Sequence, residues 1–120
     1  MKLTKKRKEK FAKEILYYIA SERENKVEAD IVYNWQTSRD NMSENRFYLY
    51  TGNINYLVDF TTAYKEFIQD TIDFLKNQFN WINKIQKISV EKQCIELNVN
   101  DNKVEIYIDD EFLKCEFEED

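Results

Sequence analysis

The sequence has a single glycine, Gly52, and neither proline nor histidine in its 120 residues. Phosphate-binding loops and nucleophile elbows need glycine where the backbone approaches a ligand, so glycine-rich nucleotide motifs are excluded. The absence of histidine removes Ser-His and Cys-His nucleophilic pairs, the common zinc sites and the usual acid–base group near neutral pH. We therefore expect a protein that is not an enzyme and that uses no cofactor and no metal.

Cysteine and long apolar segments are also scarce. Cys94 and Cys115 are far apart and have no metal-ligand spacing. Basic residues 1–10 are not followed by the apolar h-region and small-residue cleavage site of a secretory signal, and no apolar run approaches the ~18 residues that a membrane span needs. Lys, Asn and Ile are abundant while Gly, Pro and Ala are scarce, which is typical of AT-rich bacterial, phage or plasmid genes. These features predict free, core-packed thiols, no membrane contact and a cytoplasmic location in a bacterial cell.

The chain is rich in apolar and aromatic residues. The apolar fraction is 42% and the aromatic fraction 15%, and disordered chains are poor in both. A chain of this length has room for one core, so we expect a single domain over residues 1–120. Within it, residues 1–10 are predicted to be a frayed basic start and residues 118–120 an acidic tail.

Charge is distributed unevenly along the chain, although the formal net charge is only −5. Residues 1–10 carry six basic side chains and one acid, whereas residues 11–120 carry 12 basic and 22 acidic side chains. The last third is the most acidic, with eleven carboxylates against three lysines from Ile88 onward. This gradient predicts a molecule that is electrically polar from end to end.

Hydrophobic periodicity predicts the order α-βββ-α-ββββ, an α+β fold with an antiparallel sheet and one long amphipathic helix packed on a face. Apolar residues at three- and four-residue spacing predict a first helix over residues 11–20 and a second over residues 62–84. Alternation predicts strands over residues 27–36 and 46–51.

A third early strand, over residues 54–60, is predicted after a hairpin turn at Gly52 and Asn53. In an alternative interpretation, residues from Asn55 onward already belong to the second helix. Four short strands then complete the predicted sheet, with a turn at residues 100–102. The first contains Ile88 and Val90 on its inward face, and the others cover residues 95–99, 104–108 and 113–117.

The alternation in the last four strands also predicts which side chains face solvent. If the apolar residues of 95–117 point inward, carboxylates dominate the outward face and cations are almost absent from it. Such a face is expected to bind a basic protein surface that normally holds nucleic acid. The alternative, which the pattern favours over binding, is a solvated, aggregation-resistant surface on an acidic protein. The acidic residues concerned, with those of the adjoining turn and tail, are Glu96, Glu105, Asp109, Asp110, Glu111, Glu116, Glu118 and Glu119.

Three further constellations suggest other chemistry. The basic residues Lys5, Lys6, Arg7 and Lys8 would contact phosphates if they lay along one helix, although a solvated start is the alternative. Tyr48 and Tyr50 are predicted to be exposed, because Phe47 and Leu49 take the opposite face, and would anchor a partner or stack on bases. The acid-x-Lys elements at residues 24–26 and 101–103 resemble those of Mg²⁺-dependent nucleases, but turn chemistry explains the second.

In composition and size only, the chain resembles the small acidic inhibitor proteins of phages and mobile elements, including some anti-CRISPR and anti-restriction proteins. The resemblance implies a protein partner that handles nucleic acid and whose basic groove the acidic face would occlude by charge complementarity. Two other classes stay open. One is a small DNA-binding regulator that uses the basic N-terminal helix, and the other is a structural subunit that self-associates through an exposed aromatic strand edge.

Overall fold

Helix α1, Lys5–Val27, begins directly in the basic segment. The computed structural model describes residues 3–27, 34–37, 45–51, 60–91, 93–109 and 111–118. Thr4 caps α1, because its side-chain Oγ1 accepts a hydrogen bond from the Arg7 amide at 3.2 Å and its carbonyl accepts from the Lys8 amide at 2.9 Å. The segment predicted to be frayed is therefore helical from Lys5 onward, and this cap stabilises the helix where the cations oppose its dipole.

The described strands form one antiparallel sheet, and the predicted α+β class is confirmed. The bounds are β1 Asn34–Thr37, β2 Arg46–Tyr50, α2 Phe60–Gln78, β3 Ile85–Glu91, β4 Cys94–Val99, β5 Asn102–Ile108 and β6 Phe112–Phe117. The strand order is β1-β2-β6-β5-β4-β3, so β2, which pairs with β1 on one side, pairs on its other side with β6, the last strand of the chain. No helix among the described residues is both long and apolar enough to cross a membrane.

Three element boundaries differ from the prediction. Val27 is the last residue of α1 rather than the first of a strand, and residues 28–33 lie outside the described part. Phe60 begins α2 rather than ending a third strand, while residues 52–59, with the predicted hairpin turn, are not described. Helix α2 ends at Gln78 instead of near Lys84. Phe79 and Ile82 are nevertheless buried, which is why the apolar spacing looked helical beyond the true end.

Both helices pack on the same face of the sheet and close one apolar core. Phe11 of α1 contacts Phe79 and the inward ring of Phe117, at centroid distances of 6.3 and 5.9 Å. The predicted inward register of the last three strands is confirmed, because every apolar residue assigned to the interior is buried. These residues are Ile95, Leu97, Val99, Val104, Ile106, Ile108, Leu113, Cys115 and Phe117.

The side chain of Asn100 links the sheet by hydrogen bonds to the segment that follows α2. The residue lies in the β4–β5 turn, where it and Asp101 have φ of 50° and 67°, as a type I′ hairpin turn requires. Its side-chain Oδ1 accepts from the amides of Asn83 and Lys84 at 2.9 and 3.0 Å, and its Nδ2 donates to the Trp81 carbonyl at 2.9 Å. The side chain therefore satisfies three backbone groups of the connection between α2 and β3.

Strand β3 forms one edge of the described sheet and contains a bulge. The pairing with β4 shifts between Lys87 and Ser89, so Ile88 is an extra residue without a partner in β4. Ile88 is 52% exposed, whereas the alternation had placed it on the inward face with Val90. The prediction failed here because a one-residue insertion reverses the facing of a strand, and no local signal marks it.

Candidate functional site

The face of the sheet opposite the helices is covered by neither described helix, and we call it the open face. Strands β2, β4, β5 and β6 alternate between buried and partly exposed residues, so their partly exposed side chains share this side. Its members are Arg46, Tyr48, Tyr50, Cys94, Glu96, Asn98, Lys103, Glu105, Tyr107, Phe112, Lys114 and Glu116.

Three of the predicted partner-binding carboxylates form a row across the middle of the open face. Glu105 lies directly opposite Glu96 on one side and Glu116 on the other. Side chains opposite one another on neighbouring strands are about 5 Å apart at Cβ, and like charges in such positions repel. We call these three residues the acidic row.

Three cations lie among these carboxylates. Lys103 Nζ is 3.2 Å from Glu96 and 3.5 Å from Glu105, while Lys114 Nζ and Arg46 Nε are each 3.4 Å from Glu116. The expectation that cations are almost absent from this face is therefore wrong. Lys103 belongs to β5 rather than to the preceding turn, and the pairing of β2 with β6 brings Arg46 opposite Glu116.

The polar groups next to the acidic row are held in their protonated forms. The Tyr107 hydroxyl donates a hydrogen bond to Glu105 Oε2, and this bond raises the pKa of Tyr107 well above its ordinary value. Partial burial and the nearby Glu105 carboxylate raise the pKa of the Cys94 thiol. Complete burial raises the pKa of the Cys115 thiol. Neither thiol is therefore prepared for nucleophilic attack near neutral pH.

An aromatic cluster occupies one end of the open face. Tyr48 and Tyr50 stack at a centroid distance of 6.1 Å, and Phe112 lies 5.9 Å from Tyr48 and 5.8 Å from Tyr50. All three rings are partly exposed, as predicted for the two tyrosines, while Phe47 and Leu49 are buried on the other side. Sequence reasoning missed Phe112, although its place directly before the inward Leu113 gave the signal that it faces outward.

An acidic turn adjoins the aromatic cluster, because Glu111 immediately precedes Phe112 and Phe112 pairs with Tyr50. The turn is held by hydrogen bonds from the Asp109 amide to the Phe112 carbonyl at 2.9 Å and from the Glu111 amide to Asp109 Oδ1 at 3.1 Å. The Thr51 amide donates to the Glu111 carbonyl at 2.9 Å. Asp109 and Glu111 are exposed, and Glu111 makes no ion pair with any described residue.

The remaining predicted acids are elsewhere or not described. Glu118 is exposed at the far end of β6, where its amide donates to the Lys103 carbonyl at 3.1 Å. Asp110 and Glu119 lie outside the described residues. Those of the selected carboxylates that the structure describes therefore do not form one continuous surface. They divide into the acidic row, whose charges are paired with cations, the acidic turn with Asp109 and Glu111, and Glu118 after β6.

The basic N-terminal residues separate into two groups on α1. Lys5 and Lys6 are exposed, whereas Arg7 lies 5.4 Å from the Trp81 ring. Lys8 Nζ donates to Asn45 Oδ1 at 2.6 Å and lies 5.9 Å from the ring of Phe117. The basic start of the chain thus packs beside the end of β6, where the acidic tail begins. Segments from the two ends of the sequence are therefore neighbours in the fold, and the charge gradient along the sequence does not by itself give the charge distribution of the molecule.

Within the described ranges, no group of three or more Cys, Asp or Glu side chains is arranged to hold a metal ion. The acid-x-Lys element at the β4–β5 turn is explained by packing, because Asp101 pairs with Lys84 at 3.5 Å. Comparisons of the chain with protein-family models, with curated proteins and with solved structures gave no match.

Proposed function

We propose that this protein is a non-catalytic binding protein that recognises a basic protein surface with one end of its open face. The observation that supports this proposal is the juxtaposition of the aromatic cluster, Tyr48, Tyr50 and Phe112, with the exposed carboxylates of Asp109 and Glu111. Aromatic faces attract Arg and Lys side chains through cation–π contacts, and carboxylates beside them accept charge-assisted hydrogen bonds.

The acidic row plays a different part in this proposal. A partner that engaged Glu96, Glu105 or Glu116 would have to displace the cations already bound to them, and the attraction gained would be offset by the pairs lost. Glu111 has no such competitor among the described residues. The row therefore stabilises the sheet next to the binding surface, and the turn and the rings provide recognition.

The chemistry of the surface favours binding over catalysis. The chain has no histidine, and the pKa of each cysteine is raised, so an imidazole base and an activated thiol nucleophile are both lacking near neutral pH. Tyr107 is held as a neutral phenol by its hydrogen bond to Glu105. A surface of rings with an acidic rim matches protein interfaces, in which Tyr and Phe are enriched.

The partner class that fits this surface is a nucleic-acid-handling enzyme, because its Lys- and Arg-lined groove carries the complementary charge. The acidic composition and small size, which resemble those of phage and mobile-element inhibitors, support an inhibitory role in a bacterial cytoplasm. Inhibition would follow from occupying the groove that otherwise holds phosphates.

The test is a binding panel of purified nucleic-acid-handling enzymes, measured by biolayer interferometry with wild-type protein and two matched variants. The surface variant, Asp109→Asn with Glu111→Lys, keeps the oxygen that accepts from the residue 111 amide. The control variant, Asp70→Asn with Asp73→Lys, makes the same change in net charge on the exposed side of α2. For an enzyme that binds, the surface variant should lose about tenfold or more in affinity while the control keeps it.

Equal losses in the two variants would mean that net charge, not this surface, controls binding, and would refute the proposal. Tyr50→Ala should also weaken binding, since it removes one ring of the cluster. Light scattering on the same samples tests self-association: a dimer that dissociates when Glu111 is reversed would make a second copy the partner and overturn the proposed basic one.

A further inference from the structure

The solvent side of α1 carries three lysines in line. Lys6, Lys10 and Lys13 follow one another at four- and three-residue spacing, and all three are exposed. Tyr17 continues the line four residues later and is 37% exposed. With a rise of 1.5 Å per residue, the line from Lys6 to Tyr17 is about 16 Å long. We call these four residues the lysine stripe.

The helix that carries the stripe is anchored along its opposite side. Phe11, Ile15 and Ile19 are fully buried in the core, so α1 cannot rotate about its axis without exposing them. At its first turn, Arg7 packs against Trp81 and Lys8 bonds to Asn45. The stripe lysines therefore project from a fixed backbone, and neither Lys6 nor Lys10 has an ion pair with a described residue.

An aromatic platform ends the stripe. Tyr17 stacks on Trp35 of β1, with ring centroids 6.3 Å apart and an interplanar angle of 27°. Lys13 Nζ lies 5.6 Å from the centroid of the same Trp35 ring. Trp35 in turn stacks on Phe47 of the core at 6.0 Å, which supports the platform from beneath. A cation and a supported aromatic ring thus lie next to each other at the surface.

We propose that the lysine stripe binds single-stranded nucleic acid, with phosphates on Lys6, Lys10 and Lys13 and a base stacked on Tyr17. Cations along a line and an aromatic ring for an unpaired base are the two features that sequence-tolerant single-strand sites combine. Three cations in one straight row fit the phosphates of one nucleic-acid strand. A base inside a duplex is stacked on both sides and cannot stack on Tyr17, so a single strand should be preferred to a duplex. The stripe lies on the helix side of the sheet and not on the open face, so this proposal does not depend on the open face.

Nearby acids limit the affinity but do not neutralise the stripe. Glu14, on the flank of α1, accepts a hydrogen bond from Gln78 Nε2 at 3.3 Å, and Glu9 is partly buried. The remainder of the chain is acidic and repels nucleic acid at long range. We therefore expect weak binding that depends strongly on salt.

Fluorescence anisotropy with a labelled oligothymidine of about 15 nucleotides measures this binding directly. Three phosphate contacts to a single strand give a log–log salt slope of about −2, so affinity should fall about 20-fold between 50 and 200 mM salt. A duplex of equal length should bind more weakly than the single strand. No salt-dependent binding, or tighter binding of the duplex, would overturn the proposal.

Two triple variants with the same net charge separate the stripe from the total charge. Replacing Lys6, Lys10 and Lys13 by Gln should abolish binding and its salt dependence. Replacing Lys76, Lys84 and Lys87 by Gln should leave both within a few-fold of wild type, although these lysines are also exposed. Equal effects of the two triple variants would refute the proposal.

Tyr17→Ala tests the stacking part. This variant keeps all three stripe lysines, so its salt slope should stay near −2 while its affinity for the single strand falls about fivefold or more. An unchanged affinity would overturn the assignment of a stacked base to Tyr17. Circular dichroism on every variant monitors folding, and the substituted side chains are exposed, so the fold should be retained.

Discussion

Asn100 provides the sharpest test of how this fold is held together, because one side chain of 5% exposure serves three backbone groups. Two replacements separate its roles. Asn100→Gly keeps the positive φ of 50° without strain and removes the side-chain hydrogen bonds. Asn100→Ala removes the same bonds and in addition places a Cβ in the left-handed region.

The expected magnitudes follow from these contacts. Each hydrogen bond contributes about 0.5–1.5 kcal/mol net, so three lost bonds should lower the free energy of unfolding by about 3 kcal/mol. In Asn100→Ala the left-handed backbone costs about 1–2 kcal/mol more, partly offset by the extra chain entropy that Gly has when unfolded. Asn100→Ala should therefore be the less stable variant by about 0.5–1 kcal/mol.

Urea denaturation monitored by far-ultraviolet circular dichroism and by tryptophan fluorescence measures both differences. Trp81 is one of the two tryptophans, and its carbonyl accepts the hydrogen bond from Asn100 Nδ2. If the connection before β3 loosens locally, the two probes should therefore give non-coincident transitions. If Asn100→Gly lies within 1 kcal/mol of wild type, the bonds are not the source of stability. If it is less stable than Asn100→Ala, the backbone argument is wrong.

Two further predictions concern titration. Burial raises the pKa of the Cys115 thiol above its ordinary 9.0, so the unfolded chain releases this proton first as pH rises, and the free energy of unfolding should fall by up to about 1.4 kcal/mol per pH unit above pH 9. Cys115→Ala should reduce that slope in alkaline urea titrations. Equal slopes in wild type and variant would contradict the assignment. The Tyr107 phenol should titrate above its ordinary pKa of 10.0 in NMR spectra of ring-labelled protein, and Glu105→Gln should lower its pKa. A Tyr107 that titrates at the ordinary value would refute the hydrogen bond.

The facing of β4, β5 and β6 could be predicted from the sequence because period-two alternation is a local property. Ile106 and Cys115 are inward, and Glu105 and Glu116 are outward, as the alternation indicated. The charge environment of those acids could not be predicted in the same way. Arg46 and Glu116 are 70 positions apart in the chain, and only the pairing of β2 with β6 makes them neighbours.

The same distinction explains the errors at the ends of elements. Alternation begins at Val27 and therefore predicts a strand there. Val27 still belongs to α1, because a helix can continue into the first residue of an alternating segment. Phe79 and Ile82 continue the apolar spacing of α2 after the helix has ended, because burial requires an apolar side chain whatever the backbone conformation. Local patterns identified the layers of this fold, while pairing between distant segments decided which charges are neutralised.

The bulge in β3 limits how the molecule can assemble. An uninterrupted outer strand would offer a regular ladder of free amides and carbonyls on which a further chain could extend the sheet, but the extra residue Ile88 breaks that ladder near its middle and Lys87 places a charge beside the break. At the opposite margin, β1 has only four residues to offer. Fibrous growth by strand addition is therefore discouraged at both described margins, and partners have to dock against side chains rather than against backbone.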